Sequence, residues 1–377
     1  MLYLQKYIEK IIRGEKTGYL AAVLKWLLFL LSLFYSCLAK LRYYLYQHNI
    51  LQRKKAEVPV ISIGNLATGG TGKTPFVAFL AEELGKDYQI AIISRGYGAE
   101  KEVVEPFLIS DQAGLYAAAA QAGDELFMLA RNNSELIFIR SAERAAGAKL
   151  AVEKGADLIL LDDGFQHYQL ERDLDIVLID ALRPFDQAKV LPAGFLREPA
   201  TALKRADLFL LTRSDNVDWN QLKAIQDSLL EYSPDNDGVF TAVTELKGCI
   251  SVAGQEKKAI DFLAGKKVFA FSGIGSPTAF KKSIEITGAR LVSYKVFADH
   301  YNYQQEDLLT LLDQYSASQA DLILTTEKDA VKLFDFAEMI GDLPFYYLQI
   351  AMEINESAQL IEVIKNKLAL RKARHKN

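Results

Sequence analysis

The chain has 377 residues, 50% of them hydrophobic and 24% charged, which suits a folded protein of about two domains and excludes wholesale disorder, collagen-like repeats and coiled-coil rods. Its 44 Lys plus Arg against 48 Asp plus Glu leave a net charge of −4, so nothing pulls it globally toward nucleic acid. Two cysteines, Cys37 and Cys249, cannot build a disulfide scaffold or a four-ligand zinc site, and four histidines leave little for a His-rich metal centre.

The average charge hides an asymmetry. Residues 1–57 carry ten Lys or Arg against three Asp or Glu, a local +7 that leaves −11 for the rest of the chain. Within this basic end lies Thr17 to Ala39, TGYLAAVLKWLLFLLSLFYSCLA, interrupted only by Lys25. Trp26 to Ala39 is 14 apolar-rich residues, short of the roughly 20 that cross a bilayer, but the eight residues before Lys25 bring the length into range. Lys25 can snorkel along its aliphatic stem, and Lys40, Arg42, Tyr43, Tyr44 and Tyr46 form the aromatic and basic belt that an anionic interface favours. Cys37 to Arg42 offers no cleavage site for a secretory signal. The stretch reads as a membrane-associated helix, with spanning and in-plane arrangements both open because basic residues flank both ends.

Next in the chain, Val58 to Ile63 (VPVISI) has the β-branched run of a buried parallel strand. It feeds Gly64 to Thr74, GNLATGGTGKT, and then an apolar helical face built on Phe76, Val77, Phe79, Leu80 and Leu84. A strand, a glycine loop ending in Gly-Lys-Thr and a helix are the context of a phosphate-binding loop. Gly69, Gly70 and Gly72 let successive N–H groups of Ala67, Thr68, Gly69, Gly70, Thr71 and Gly72 face one centre. Lys73 then reaches the β- and γ-phosphates and the Thr74 hydroxyl faces Mg²⁺. The strict pattern wants glycine where this chain has Ala67, which fits provided that its φ stays negative.

Asp157 to Asp163, DLILLDD, runs four apolar residues into two carboxylates at the carboxyl end of a strand, where α/β sheets place ligands. Asp162 and Asp163 are therefore the metal candidates, and at most one faces the metal unless the strand has already turned. Further strands are predicted at Gln89–Ser94, Leu136–Arg140, Asp175–Ile179 and Asp207–Thr212, with helices around Glu125–Arg131, Glu143–Glu153 and Gln221–Tyr232 between them. Strands alternating with helices predict an α/β fold: a P-loop NTPase-type parallel sheet, a second, smaller α/β lobe, and the N-terminal membrane helix. The expected divisions are 1–57 for the helix and its basic flanks, 58–215 for the nucleotide-binding core, 216–265 for a polar linker region, and 266–377 for the C-terminal lobe.

The motifs narrow the field further. GNLATGGTGKTP (Gly64 to Pro75), SRGYG (Ser94 to Gly98), GDE (Gly123 to Glu125), LDDGFQH (Leu161 to His167), LPAGFLREP (Leu191 to Pro199), ADHYNY (Ala298 to Tyr303) and TTEKDAVKL (Thr325 to Leu333) occur in that order. Together they resemble the tetraacyldisaccharide 4′-kinase family, the lipid A kinases of Gram-negative bacteria, over essentially the whole chain. The resemblance implies MgATP-dependent phosphorylation of the 4′-hydroxyl of an acylated glucosamine disaccharide at the cytoplasmic face of the inner membrane. It also implies inner-membrane lipids as neighbours. By the same resemblance Asp124 is the base and His300 its partner, and Arg144, Arg197 and Glu198 fall on positions tied to activity. Arg95 and Tyr97 then lie on the substrate side. Where the family more usually has Asp-His-His, this chain has Asp299-His300-Tyr301, which keeps the first imidazole and leaves no second one. His167 has no metal-ligand partners nearby in the sequence and reads as structural.

A sugar hydroxyl is a poor nucleophile near neutral pH, so a base that takes its proton is expected to help by roughly 10²–10⁴-fold. A membrane-associated P-loop GTPase or ATPase switch is the first competing reading, weakened because Thr326-Glu327-Lys328-Asp329 has the guanine-reading letters in the wrong order. A membrane-anchored binding protein with a decayed loop is the second, opposed by intact Lys73, Thr74 and Asp162.

Overall fold

A computed structural model describes residues 2–96, 99, 105–185, 188–233, 238–253 and 256–375. The chain divides into two compact units that interleave in sequence. One comprises Met1–Lys73, Asp163–Val243 and Ile354–Asn377; the other comprises Thr74–Asp162 and Thr244–Glu353. Two of the passages between them, Lys73 to Thr74 and Asp162 to Asp163, fall inside the two motifs on which the sequence reading rests.

In the first unit, Val60–Asn65 pairs in parallel with Leu174–Asp180, with Ile61 opposite Leu174. Leu174–Asp180 pairs with Leu208–Thr212, which pairs with the start of Val239–Ser251, again in parallel. Every residue of Val60–Asn65 is buried, as expected for a β-branched run covered on both faces. The side chains of Val177, Ile179, Phe209 and Leu211 meet Leu66, Phe165, Leu196, Leu203 and Leu229 in one core. The covering helix Trp219–Tyr232 starts where Asp218 accepts a 2.9 Å bond from the Gln221 N–H, capping one of its open donors.

The apolar N-terminal stretch forms one helix, Tyr19–Gln47, of 29 residues. Among the described residues it is the one helix long and apolar enough to cross a membrane. Ala21, Leu28 and Ser32 are buried on one side, Leu28 packing with Ile12, Ala193 and Phe195. The Ser32 hydroxyl donates to the Val190 carbonyl at 2.9 Å. Farther along, Tyr43 lies against Tyr168 with ring centres 5.5 Å apart. The rest of the surface exposes large apolar side chains, among them Trp26, Leu31, Phe34, Leu38 and Leu41.

The second unit contains two strand groups. Ile90–Ser94 pairs in parallel with Leu158–Asp162 on one side and Ile137–Arg140 on the other, and Phe107–Asp111 adds an antiparallel edge. In the other group Lys267–Ser272 pairs in parallel with Arg290–Val296 and with Leu322–Thr326, and Leu322–Thr326 pairs with Phe345–Ile354. Side chains alternate between faces with the period of two that a strand imposes. Phe269 and Phe271 pack with Leu308, Leu311 and Phe345, while Val268 and Ala270 pack with Ile284 and Leu324. The fold is thus mixed α/β with mainly parallel pairing. The polar stretch 216–265 carries the helix Trp219–Tyr232 and the 13-residue strand Val239–Ser251.

Candidate functional site

The loop of the first unit begins where Gly64 passes Phe165 so closely that a Cβ would lie 2.5 Å from the phenylalanine Cβ. Only glycine fits there, which makes Gly64 a packing requirement. Gly69 and Gly72 take positive φ of 117° and 84°, and Ala67 is not among the residues with positive φ, so the departure from the strict pattern costs no strain. Asn65 Nδ2 donates to Thr71 Oγ1 at 2.9 Å and to the Gly69 carbonyl at 3.4 Å, holding the curl from inside. From outside, Thr212 Oγ1 donates to the Thr71 carbonyl, Arg213 to the Gly70 carbonyl, and the Thr68 N–H to the Phe195 carbonyl. The loop is fixed by these bonds, with Gly69 and Gly70 exposed and Gly72 half-buried.

At its end Lys73 Nζ lies 3.4 Å from Asp163 Oδ1, and Arg197 Nη1 donates to both Asp163 oxygens at 2.7 and 2.9 Å. Asp163 has φ 57°, so the chain has already left the strand at Asp162 and the two consecutive carboxylates are freed from strand alternation. Burial alone would raise the Asp163 carboxyl, but the Lys73 and Arg197 charges hold it below the usual carboxylate range. Next to Arg197, Glu198 is buried; its Oε2 accepts from the Tyr168 hydroxyl at 2.6 Å and pairs with Arg205 at 2.9 Å. The Arg205 guanidinium lies over the rings of Tyr43, Phe165 and Tyr168. Glu198 is therefore tied into the packing that supports the 191–199 segment, and Arg197 is the neighbour that reaches Asp163.

In the second unit, Thr74 Oγ1 donates to Glu125 Oε2 at 2.7 Å. Asp124 and Glu125 open the helix Asp124–Asn132, where carboxylates complement the helix dipole. Asp124 is buried, and its Oδ2 meets His300 Nδ1 at 3.1 Å and Lys332 Nζ at 2.9 Å. Burial would raise the Asp124 carboxyl; the hydrogen bond from His300 and the Lys332 ammonium outweigh it and hold the group low. His300 itself has φ 57°, a left-handed conformation uncommon for a residue with a Cβ. Lys328 Nζ lies 3.2 Å from His300 Nε2 and 3.0 Å from Glu125 Oε1. Tyr301, in place of a second histidine, turns its hydroxyl to Asp307, while its carbonyl accepts from Lys332.

The remaining candidates have their own local surroundings. Asp162 is buried and its Oδ2 accepts from Ser94 Oγ at 3.0 Å. Arg144 is buried at the start of Arg144–Glu153, where Nη1 donates to the Ser141 and Ala142 carbonyls at 2.6 and 3.3 Å. Arg95 is exposed, and Tyr97 lies outside the described residues. Glu125, in the GDE motif, and Lys328 and Lys332, in TTEKDAVKL, join the site although the motifs alone assign them no role. The two lysines are four residues apart, a spacing that puts side chains on one face of a helical turn. Asp329 secures that turn, buried against Thr326 Oγ1, Tyr303 OH and the Gly273 N–H.

The family model for tetraacyldisaccharide-1-P 4′-kinase, LpxK, matches residues 24–369. The chain is 37% identical to the tetraacyldisaccharide 4′-kinase of Halothermothrix orenii over 96% of its own length and 97% of the relative's. With that of Syntrophotalea carbinolica it shares 39% identity over 89% and 91% of the two chains. Among solved structures it is similar to LpxK from Aquifex aeolicus in complex with ATP, with 30% identity and a TM-score of 0.72, covering 92% of this chain and 99% of that one. These likenesses set aside the nucleotide-switch reading.

Proposed function

The chain belongs to the tetraacyldisaccharide-1-P 4′-kinase family, and from that premise we propose how its own residues carry out the reaction. The reaction is transfer of the ATP γ-phosphate to the 4′-hydroxyl of a tetraacyl glucosamine disaccharide 1-phosphate. In our reading the 67–74 loop receives the ATP phosphates on its backbone N–H groups and Lys73. Arg197 and Arg144 place positive charge toward the phosphoryl group, and Arg95 and Tyr97 belong to the disaccharide side. Glu198 acts indirectly, through its hold on the segment that carries Arg197.

Asp124 is the base. The observation that carries this is the distribution of its bonds: His300 and Lys332 both engage Oδ2, which leaves Oδ1 for the acceptor hydroxyl. The 4′-oxygen attacks Pγ as its proton passes to Oδ1; the bond from Pγ to the β,γ-bridging oxygen breaks, and ADP departs with the electron pair. Lys332 and His300 keep Asp124 ionised and ready to accept.

The donor set suits Mg²⁺. No group of three or more His, Cys, Asp or Glu converges among the described residues, whereas Mg²⁺ is typically held by a hydroxyl, one or two carboxylates, phosphate oxygens and water. Both Asp163 oxygens face Arg197, so Thr74 and Asp162 are the protein ligands in this reading. Thr74 can donate its proton to Glu125 and keep its lone pairs for the metal. When bound, the ion neutralises charge on the β- and γ-phosphate oxygens.

The exposed apolar side of Tyr19–Gln47 supports a helix lying in the bilayer surface. Contacts at Ala21, Leu28, Ser32 and Tyr43 tether it to its unit along most of its length, which disfavours a span. Use of ATP, a cytoplasmic nucleotide, supports a site on the cytoplasmic face of the inner membrane. The test is transfer of labelled γ-phosphate to a detergent-solubilised tetraacyl disaccharide 1-phosphate. Wild type forms the labelled lipid, and Asp124→Asn lowers kcat by about 10²–10⁴-fold with little change in KM for ATP. No lipid product from wild type would overturn the function; full activity in the variant would remove Asp124 as the base.

A further inference from the structure

We propose that Lys328 is a positioning residue that fixes the tautomer of His300 and couples the Asp124 side of the site to Thr74. The inference rests on the reading of Asp124 as base and extends it to a residue that touches neither the proton nor the phosphate.

An ammonium group has three donors and no lone pair. With Lys328 Nζ 3.2 Å from His300 Nε2, that nitrogen must be the acceptor and carry no proton. The ring proton of neutral His300 then sits on Nδ1, 3.1 Å from Asp124 Oδ2, and is donated to the carboxylate. The opposite tautomer would aim an N–H at the ammonium and a lone pair at the carboxylate, two repulsive contacts in place of two attractive ones. Lys328 thus makes the imidazole a fixed donor to Oδ2, so the substrate proton goes to Oδ1 and His300 takes none.

The same ammonium lies 3.0 Å from Glu125 Oε1, whose other oxygen accepts from Thr74 Oγ1 at 2.7 Å. A continuous path of hydrogen bonds therefore runs from Thr74 through Glu125, Lys328 and His300 to Asp124. It orders the hydroxyl that ends the phosphate loop together with the carboxylate that receives the proton. The left-handed backbone at His300 is part of the device, since it aims the ring with one nitrogen toward each partner.

The chain has only four histidines, so ¹⁵N-histidine labelling gives a readable spectrum, with His300→Gln to assign the signal. In the full-length wild type, His300 should show a protonated Nδ1 and an unprotonated Nε2. Lys328→Met should populate the other tautomer and lower kcat by about tenfold to a hundredfold, the usual cost of losing an orienting partner, with KM for ATP within about twofold. Lys328→Arg, which keeps a donor, should restore part of kcat and the Nδ1–H tautomer. A wild-type His300 protonated on Nε2 would overturn the inference even if Lys328→Met fails to fold. So would an unchanged tautomer and kcat in a folded Lys328→Met. Loss of transfer in Asp124→Asn with no effect of Lys328→Met would overturn only the role of Lys328, whereas full transfer in Asp124→Asn would remove the base reading itself.

Discussion

Replacing Lys332 by Met tests the electrostatics around Asp124 directly, because Met keeps the length of the side chain and removes its charge. The Asp124 and Lys332 side chains are 9% and 6% exposed and 2.9 Å apart. Taking one partner from a buried pair costs about 3–5 kcal/mol. His300 still holds Oδ2 in the variant, so the lower end, about 3 kcal/mol near neutral pH, is the expected loss of stability. The pH dependence is more specific. In wild type the carboxyl is held below its ordinary value, so its contribution to stability is present above the unfolded value of about 3.9 and is lost only as pH falls through the lowered folded value. Without Lys332, burial is opposed by His300 alone and the carboxyl moves upward. The variant binds a proton in the folded state where wild type does not, so the stability gap widens as pH rises and narrows toward pH 4. Thermal denaturation followed by circular dichroism at pH 4.5 and 7.5 should show a larger difference at 7.5. The acid limb of the kcat/KM profile should move to higher pH. An equal gap at both pH values, with an unmoved acid limb, would refute the assignment of Lys332 as the charge that keeps Asp124 ionised.

Two further perturbations address the other parts of the molecule. Asp163→Asn keeps a residue that tolerates φ 57° but removes the charge facing Lys73 and Arg197, so kcat should fall about tenfold or more while ATP binds no more weakly; a raised KM with unchanged kcat would contradict this. Asp163→Ala should in addition lower thermal stability by about 1–2 kcal/mol relative to Asn, because alanine is strained in the left-handed region. On the N-terminal helix, Phe34 and Leu38 are 66% and 48% exposed and one helical turn apart. Each contributes roughly 1.5–3 kcal/mol when fully buried in an apolar phase, so Phe34→Glu with Leu38→Glu should weaken vesicle flotation more than a hundredfold while activity in detergent is retained. Equal flotation of variant and wild type would exclude this face as the membrane contact.

What the sequence disclosed follows the range of the interactions involved. The strands around the loop were legible because a buried parallel strand needs a short, nearly continuous apolar run, and Val60 to Ile63 and Leu158 to Leu161 supply one. The glycine loop was legible for a similar local reason, since φ values of 117° and 84° favour glycine. Val239–Ser251 was hidden in a stretch rich in polar residues, because several of its positions are only half buried and its apolar pattern is diluted by Thr, Glu and Lys. The partnership of Asp124 with His300, 176 residues apart, came only through family resemblance, and Lys332, although inside the TTEKDAVKL motif, carried no sign of its pairing with Asp124.

The unexpected part of the site is conformational. Asp163 and His300 both adopt φ 57°, a left-handed conformation uncommon for residues with a Cβ, although Asp and His enter it more readily than most. Neither residue type demands that conformation, so composition and periodicity could not reveal it. In each case the surrounding bonds enforce it: Arg197 and Lys73 on the Asp163 carboxylate, Asp124 and Lys328 on the two His300 nitrogens. Glycine at either position would relieve the backbone and delete the side chain that the strain serves to aim. Those bonds set the direction in which both side chains point, and that direction is what the left-handed backbone serves.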